Sequence, residues 1–261
     1  ERVRQSLLKA KSYKLKAQPV VLPIFVDTVH FSARPDETAI QAIRARYPQF
    51  DRIILMVGRL ASEKNITLAI EAMREVAKVH PHAGLMIVGS GDVEKNPPEA
   101  VFARSPALCG KGQGDEAIQR DPRLLRSLRG ARKDACEEPQ IVFETTTRDI
   151  APYYHAADIF LHTSNYEGYG MVLIEAAAAG LPIVTTDVGV VGDVLKDGES
   201  ALVCPVGDRS CLVDQLLRLI GDNALRARIG GAAQEAAKQQ MVSKEESLKQ
   251  YRASWEVCTY G

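Results

Sequence analysis

The chain has 261 residues, of which 46% are hydrophobic and 25% charged, and its 33 basic side chains equal its 33 acidic ones. This composition predicts a globular protein that buries a sizeable core without help from disulfides or structural metals. Because the net charge is zero and no apolar run approaches the roughly 20 residues that span a bilayer, neither nucleic-acid binding nor membrane spanning is expected.

The N-terminal segment, residues 1–17, carries six lysines and arginines against a single acidic residue, Glu1. It has neither an initiating methionine nor an apolar signal core, so we expect a boundary segment of a longer chain rather than a targeting peptide. A solvated face explains the charge most simply. Peripheral contact with anionic lipid headgroups, worth about 1 kcal/mol per basic residue, is the alternative.

Short apolar runs recur along the chain with helical segments between them. They lie at residues 20–26, 53–57, 85–88, 141–143, 159–161, 183–185 and 201–203. Strands that alternate with helices pair in parallel, and continuously apolar strands are covered on both faces. The sequence therefore predicts an α/β fold with a doubly wound parallel sheet over residues 18–221, an insertion at 92–139, and extra helices at 222–261.

Two of the helices have clear sequence signals. Apolar residues at helical spacing between Ile66 and Ala77 predict one helix, which His80 and Pro81 stop. A second helix is predicted over 170–179, with Gly180 as its C-terminal cap. Within the insertion, residues 110–114 are glycine-rich, but they do not match a phosphate-binding loop and predict a solvated loop.

The five cysteines are odd in number and form no Cys-x-x-Cys pair, and no histidines stand at zinc-ligand spacing beside them. They lie at positions 109, 136, 204, 211 and 258. The simplest interpretation is reduced thiols in a cytoplasmic protein without a metal site.

The first candidate site follows the second apolar run, where Gly58, Arg59 and Lys64 open the next helix. In α/β sheets, ligands bind beyond the carboxyl ends of the strands. A guanidinium and an ammonium there could hold the oxygens of a diphosphate. Surface salt bridges to Glu63 and Glu71 explain the same two charges equally well.

The second candidate site is more specific, because Glu167 and Glu175 flank seven residues where a strand gives way to a helix. Gly168 and Gly170 leave the backbone N–H groups of the helix N-terminus open to a phosphate or a polarised sugar oxygen. Each glutamate could instead be a solvated or dipole-stabilising helix residue. The apolar helix around Glu175 argues against that, because a buried acid needs a partner.

These motifs resemble the donor-binding, C-terminal half of the retaining glycosyltransferases of GT-B architecture known as glycosyl transferases group 1. Residues 58–60 with Lys64 match the family's G-R-L-x-x-x-K segment, and residues 167–180 match its E-x7-E motif with E-G-F-G and E-A-x-A-x-G. Similar segments lie at 24–31, 88–91 and 197–203. The resemblance covers about residues 20–208 and implies a Rossmann-like donor domain.

By this resemblance, Arg59 and Lys64 hold the diphosphate and stabilise it as leaving group, Glu167 positions the donor sugar, and Glu175 binds the ribose hydroxyls. The implied catalytic residues are Arg59, Lys64 and Glu167. The implied donor-binding residues are Gly58, Arg59, Lys64, Gly89, Ser164, Glu167, Gly168, Tyr169, Gly170, Met171, Val172 and Glu175. The implied reaction is the retaining transfer of a hexose from a nucleoside diphosphate sugar, without a cofactor. No Asp-x-Asp occurs in the chain, so a metal-bridged diphosphate is not suggested.

An enzyme of this family also has an N-terminal domain that binds the acceptor, and that domain is missing from this chain. The chain is therefore expected to bind nucleotide sugar, while turnover by the chain alone is not implied. A nucleotide-sugar-binding subunit or sensor remains an alternative, as does a Rossmann-like scaffold. The segment 143–147 lacks the family's glycine after its strand and so departs from the family pattern where the nucleoside base would bind.

Overall fold

The computed structural model describes residues 24–91, 140–240 and 243–260. The basic segment at 1–17 and the insertion at 92–139, with its glycine-rich residues 110–114, lie outside the described residues. What the sequence predicts for them stays a prediction.

Strands and helices alternate along the described chain. The elements are α1 (Thr28–Ser32), α2 (Glu37–Arg46), β1 (Arg52–Val57), a 3₁₀ turn (Ser62–Lys64), α3 (Ile66–Ala77), β2 (Ala83–Val88), β3 (Gln140–Glu144), α4 (Ala151–Ala156), β4 (Ile159–His162), α5 (Met171–Ala178), β5 (Ile183–Thr186), β6 (Leu202–Cys204), α6 (Arg209–Gly221), α7 (Asn223–Gln239) and α8 (Lys244–Tyr260). The predicted helices at 66–77 and 170–179 and the C-terminal helices are thereby confirmed, each within a few residues.

The strands form one six-stranded sheet in the order β3-β2-β1-β4-β5-β6, and every neighbouring pair is parallel. Chain order reverses between β1 and β4. Such a switch point opens a crevice outside the carboxyl ends of the strands, where ligands of doubly wound proteins bind. Both candidate sites follow these two strands.

Successive residues of each central strand enter different cores on the two faces of the sheet. In β1, Leu55 joins a core that includes Ile40 of α2, whereas Ile54 joins a core that includes Ile70 of α3 and Leu216 of α6. Because both faces are covered, the strands are apolar at consecutive positions. The doubly wound, Rossmann-like α/β fold is confirmed.

The first predicted strand, at 20–26, is wrong for the part that the structure describes. Residues 24–26 are irregular and lead directly into α1. Asp27 caps that helix, since its Oδ1 accepts a hydrogen bond of 3.0 Å from His30 N. An apolar run alone does not reveal a helix cap that directly follows it.

The prediction of reduced thiols is wrong for two of the cysteines. Cys204 ends β6 and Cys211 lies in the first turn of α6, and their sulfurs form a disulfide across a Cα–Cα distance of 5.7 Å. Gly207, with a φ of +80°, and the capping residue Asp208 reverse the chain between them. This tight turn brings the two Cα atoms within the range that a disulfide spans. For the other three cysteines, the prediction stays untested.

No helix within the described ranges is both long enough and apolar enough to cross a bilayer.

Candidate functional site

Backbone contacts between the ends of β1, β2 and β3 build one side of the switch-point crevice. Gly58 N donates to Val88 O at 3.1 Å, and Gly89 N donates to Glu144 O at 3.0 Å. A Cβ on Gly89 would lie 1.8 Å from Gly58 O, so only glycine allows the two loops to approach this closely. The β1–α3 loop is therefore fixed to the neighbouring strands.

Lys64 and Glu167 meet across the switch point, where their side chains form an ion pair. The two side chains are only 13% and 14% exposed. The same oxygen, Glu167 Oε1, accepts a hydrogen bond of 3.0 Å from Ser164 Oγ. It also lies 3.2 Å from His162 Nε2. Three of the residues expected at the donor site are thus in direct contact.

Further hydrogen bonds join the two loops that carry this pair. Asn165 N donates to Glu63 O at 2.8 Å, and Asn65 Nδ2 donates to Asn165 Oδ1 at 3.0 Å. The buried Thr163 hydroxyl donates to Lys64 O at 3.0 Å. The loops after β1 and β4 are therefore one hydrogen-bonded unit.

The charges at the site perturb each other strongly. Burial alone would raise the pKa of Glu167, but the contacts from His162 and Lys64 together outweigh it and lower that pKa to about 2. Burial lowers the pKa of His162, against the opposite effect of Glu167. At neutral pH the site therefore holds a carboxylate and a neutral imidazole.

The side chain of Arg59 pairs with a neighbouring acid at the surface, whereas the family resemblance implies that it holds the diphosphate. Its guanidinium Nη2 is 2.8 Å from Glu63 Oε1, and its side chain is 77% exposed. The alternative of a surface salt bridge between Arg59 and Glu63 is therefore present. Glu71, the other acid considered, lies 3.8 Å from Arg209. A role of Arg59 in donor binding stays a prediction.

Glu175 is held by a tyrosine from a different helix. Tyr154, which is fully buried, donates its hydroxyl to Glu175 Oε2 at 2.7 Å. Burial raises the pKa of Glu175, and the hydrogen bond from Tyr154 acts in the opposite direction. Tyr154 also contacts Phe31 edge-to-face, with ring centroids 5.5 Å apart. This packing holds its hydroxyl group toward Glu175.

The N-terminus of α5 is open as the glycines predict. Gly170 precedes the helix with a φ of +86°, and no side chain caps it. The first N–H groups of the helix, including those of Met171 and Val172, are therefore available to an acceptor. A Cβ on Gly168 would meet nothing within 4 Å, and Tyr169 beside it is half-buried.

Glu144, the last residue of β3, lies next to the segment in which the sequence lacks the family's glycine. Glu144 Oε1 lies 2.8 Å from Arg46 Nη1 and accepts a hydrogen bond from the Tyr47 hydroxyl. Burial and Glu144 raise the pKa of Tyr47. Glu144 is therefore engaged by its own chain. In the described part of the chain, no three His, Cys, Asp or Glu side chains cluster as metal ligands.

Two polar contacts at the site could not be inferred from the motifs. Tyr154 belongs to none of the motifs that the sequence analysis identifies. His162 ends an apolar strand beside the crevice, which is a weak signal because a lone histidine is often a core residue. Only the fold brings them to Glu175 and Glu167.

A parallel sheet with this strand order, with an open helix N-terminus and an ion pair at its switch point, is a Rossmann-like domain that can bind a ligand beyond its strand ends. Residues 51–222 match the family model described as Glycosyl transferases group 1. The chain belongs to this family.

Similar proteins agree with this assignment. The phosphatidyl-myo-inositol mannosyltransferase of Mycobacterium leprae is 28% identical over 196 residues, which are 74% of this chain and 44% of that protein. The C-terminal domain of a group 1 glycosyl transferase from Francisella tularensis superposes with a TM-score of 0.59 at 22% identity, over 82% of this chain and 97% of that one. Anabaena HepE, solved with UDP-glucose, gives a TM-score of 0.61 at 20% identity, over 90% of this chain and 55% of that one. The chain spans less than half the length of the curated relatives that it matches.

Proposed function

We propose that this chain is the donor-binding domain of a retaining glycosyltransferase, which moves a hexose from a nucleoside diphosphate sugar to an acceptor. The observation that carries the proposal is the Lys64–Glu167 ion pair at the switch point of the sheet. A lysine there meets a diphosphate, and a carboxylate beside it accepts hydrogen bonds from sugar hydroxyls.

In this proposal, Lys64 and the open N–H groups of α5 receive the donor's diphosphate. Negative charge develops on the leaving phosphate as the glycosidic bond breaks, and a preorganised cation stabilises charge most where it develops. Arg59 would join them by leaving the exposed carboxylate of Glu63, to which it is bound at 2.8 Å. These cations would substitute for a metal ion.

The retaining course is the part of the proposal that the family resemblance implies. The acceptor hydroxyl attacks the anomeric carbon from the face that the phosphate leaves. A leaving phosphate oxygen takes the hydroxyl proton as the new glycosidic bond forms. Glu167 holds the donor sugar in the orientation that this attack needs.

Glu175 is proposed to bind the ribose. Its Oε2 is already held by Tyr154 at 2.7 Å, and in this proposal the other oxygen accepts the hydrogen bond from the ribose hydroxyl. The base would then lie beyond the end of β3. Anabaena HepE was solved with UDP-glucose, which makes a uridine nucleotide the first donor to test.

Calorimetric titration of this chain with UDP-, GDP- and ADP-sugars tests the proposal. We expect one class to bind and Lys64→Ala to weaken it roughly ten-fold or more, as for loss of a charge-assisted hydrogen bond. Lys78→Ala is the matched control, because Lys78 pairs with Glu75 on the surface and is 64% exposed. Failure of every sugar nucleotide to bind, or equal affinity in both variants, would contradict the proposal.

Transfer to an acceptor is a separate measurement. The acceptor-binding domain is proposed to lie outside the 261 residues of this chain. Binding without turnover, together with turnover restored by a second polypeptide, would favour a nucleotide-sugar-binding subunit.

A further inference from the structure

His162 is a buried polar residue of the candidate site. The family motifs assign no role to it. It is the last residue of β4, and its side chain is 1% exposed. Among the described residues, neither ring nitrogen has a well-aligned hydrogen bond, although Nε2 lies 3.2 Å from Glu167 Oε1. The ring stacks on Phe160, with centroids 6.4 Å apart and planes 13° apart. The packing therefore fixes the plane of the imidazole ring, while its N–H group lacks a well-aligned hydrogen bond.

A buried polar group without a partner is costly, and an apolar side chain would fill the same space without that cost. The charged groups that face the ring are Glu167, on the loop after β4, and Lys64, on the 3₁₀ turn after β1. Burial keeps the ring neutral, so it carries a single N–H. The nearest acceptor for that N–H is Glu167 Oε1.

Donor binding would change the hydrogen-bond partners that are available to Glu167. In the structure, Lys64 is its cationic partner, and both side chains are largely buried. Under the proposed function, the diphosphate competes for the same ammonium group. A carboxylate that loses its partner in a buried site must find another donor or lose its position.

We propose that His162 is a positioning residue for the donor sugar, and that its Nε2–H holds Glu167 in place when Lys64 engages the diphosphate. This inference rests on the proposed function and adds to it a residue that acts through Glu167. Only a small reorientation is needed, because the two atoms are already 3.2 Å apart. His162 therefore acts on recognition of the sugar and much less on the nucleoside diphosphate.

Two substitutions separate this role from packing. His162→Gln keeps an N–H donor near the position of Nε2, whereas His162→Leu fills the space without a donor. The measured quantity is the ratio of the Kd for UDP to the Kd for UDP-glucose, or for the GDP or ADP pair if one of those binds. We expect His162→Leu to weaken sugar-nucleotide binding roughly ten-fold relative to the diphosphate alone. His162→Gln should stay within about three-fold of the wild type.

His155→Gln is the matched control, because His155 Nε2 is 2.9 Å from Phe31 O and lies outside the proposed site. Its ratio should equal that of the wild type. Equal losses for both ligands in His162→Leu, or no loss for either, would overturn the inference while leaving the proposed function intact. If the wild type binds no sugar nucleotide, the proposed function and this inference both fail.

Nitrogen-15 NMR of the imidazole provides a measurement on the wild type that does not depend on the folding of His162→Leu. We expect a neutral ring with its proton on Nε2, and a downfield shift of that proton when UDP or UDP-glucose is added. Glu167→Gln should abolish the shift. A proton on Nδ1, or a resonance that does not respond to a bound ligand, would overturn the inference.

Discussion

Lys64 and Glu167 lie 103 positions apart in the sequence, and their side chains form an ion pair that joins the segment after β1 to the loop after β4. Neither charge is freely exposed to solvent. A diphosphate that binds Lys64 must therefore share it with Glu167 or displace it. Ligand affinity at this site should depend on the carboxylate as much as on the lysine.

The acid stability of the chain should depend on Glu167. Its pKa is lowered from 4.5 to about 2, so its stabilisation is complete above pH 4.5 and is lost as pH falls toward 2. We expect Glu167→Gln to lower the free energy of unfolding at pH 7 by about 2 kcal/mol, discounted for partial exposure. Urea unfolding at pH 7 and pH 3 measures the difference, which should shrink at pH 3. Glu75→Gln, at the surface, is the control. An equal difference at both pH values would contradict the prediction.

We expect the buried carboxyl group of Glu175 to lower the stability of the folded chain, although it is proposed to bind the ribose. Burial raises its pKa, so the folded chain loses stability as pH rises through the range in which this carboxyl ionises. Glu175→Gln keeps an acceptor for Tyr154 and removes the buried charge. We expect a higher Tm in this variant than in the wild type, with a larger gap at pH 8 than at pH 5, and roughly ten-fold weaker nucleotide binding. A lower Tm at pH 8 would contradict this prediction.

Gly89 should not tolerate a methyl group. In Gly89→Ala, the new Cβ would lie 1.8 Å from Gly58 O, so the loop that carries Lys64 must shift. We expect a loss of about 1–3 kcal/mol in the free energy of unfolding, together with weaker nucleotide binding. Gly231→Ala is the control, because a Cβ there meets nothing within 4 Å and alanine favours the helix. Chemical denaturation and calorimetry measure the two effects, and equal behaviour of the two variants would show that the close approach is unimportant.

The Cys204–Cys211 disulfide should stabilise the junction between β6 and α6. It closes a short loop, with a sequence separation of 7, for which chain entropy predicts about 2 kcal/mol. We expect Cys211→Ala to lose about that much stability without reductant. In dithiothreitol, variant and wild type should unfold at nearly the same denaturant concentration. A wild type that is indifferent to dithiothreitol would contradict the disulfide.

Much of the fold could be predicted because buried strands and amphipathic helices have distinct patterns. Six of the apolar runs are strands, and the helix predicted to begin near Ile66 and to stop at His80 runs from Ile66 to Ala77. The strand expected at 20–26 failed in its described part because the Asp27 cap is a local hydrogen bond that an apolar run does not encode.

The sequence indicates which residues of the candidate site lie at the ends of the strands. It does not indicate which of their side chains are in contact. Nothing in the sequence states that Lys64 contacts Glu167 rather than a more distant wall of the crevice. The direction of the Arg59 side chain depends on competition between Glu63, four residues along the chain, and a ligand. The contacts of His162 and Tyr154 depend on which strands and helices become neighbours, and that requires the tertiary fold.

The bonds from Asn165 N to Glu63 O and from Thr163 Oγ1 to Lys64 O make the two site loops inseparable. Anyone exchanging specificity between members of this family would therefore have to transplant both segments together. A chimera that carries only one of them would lose the hydrogen bonds between the two loops and would leave their backbone groups without partners.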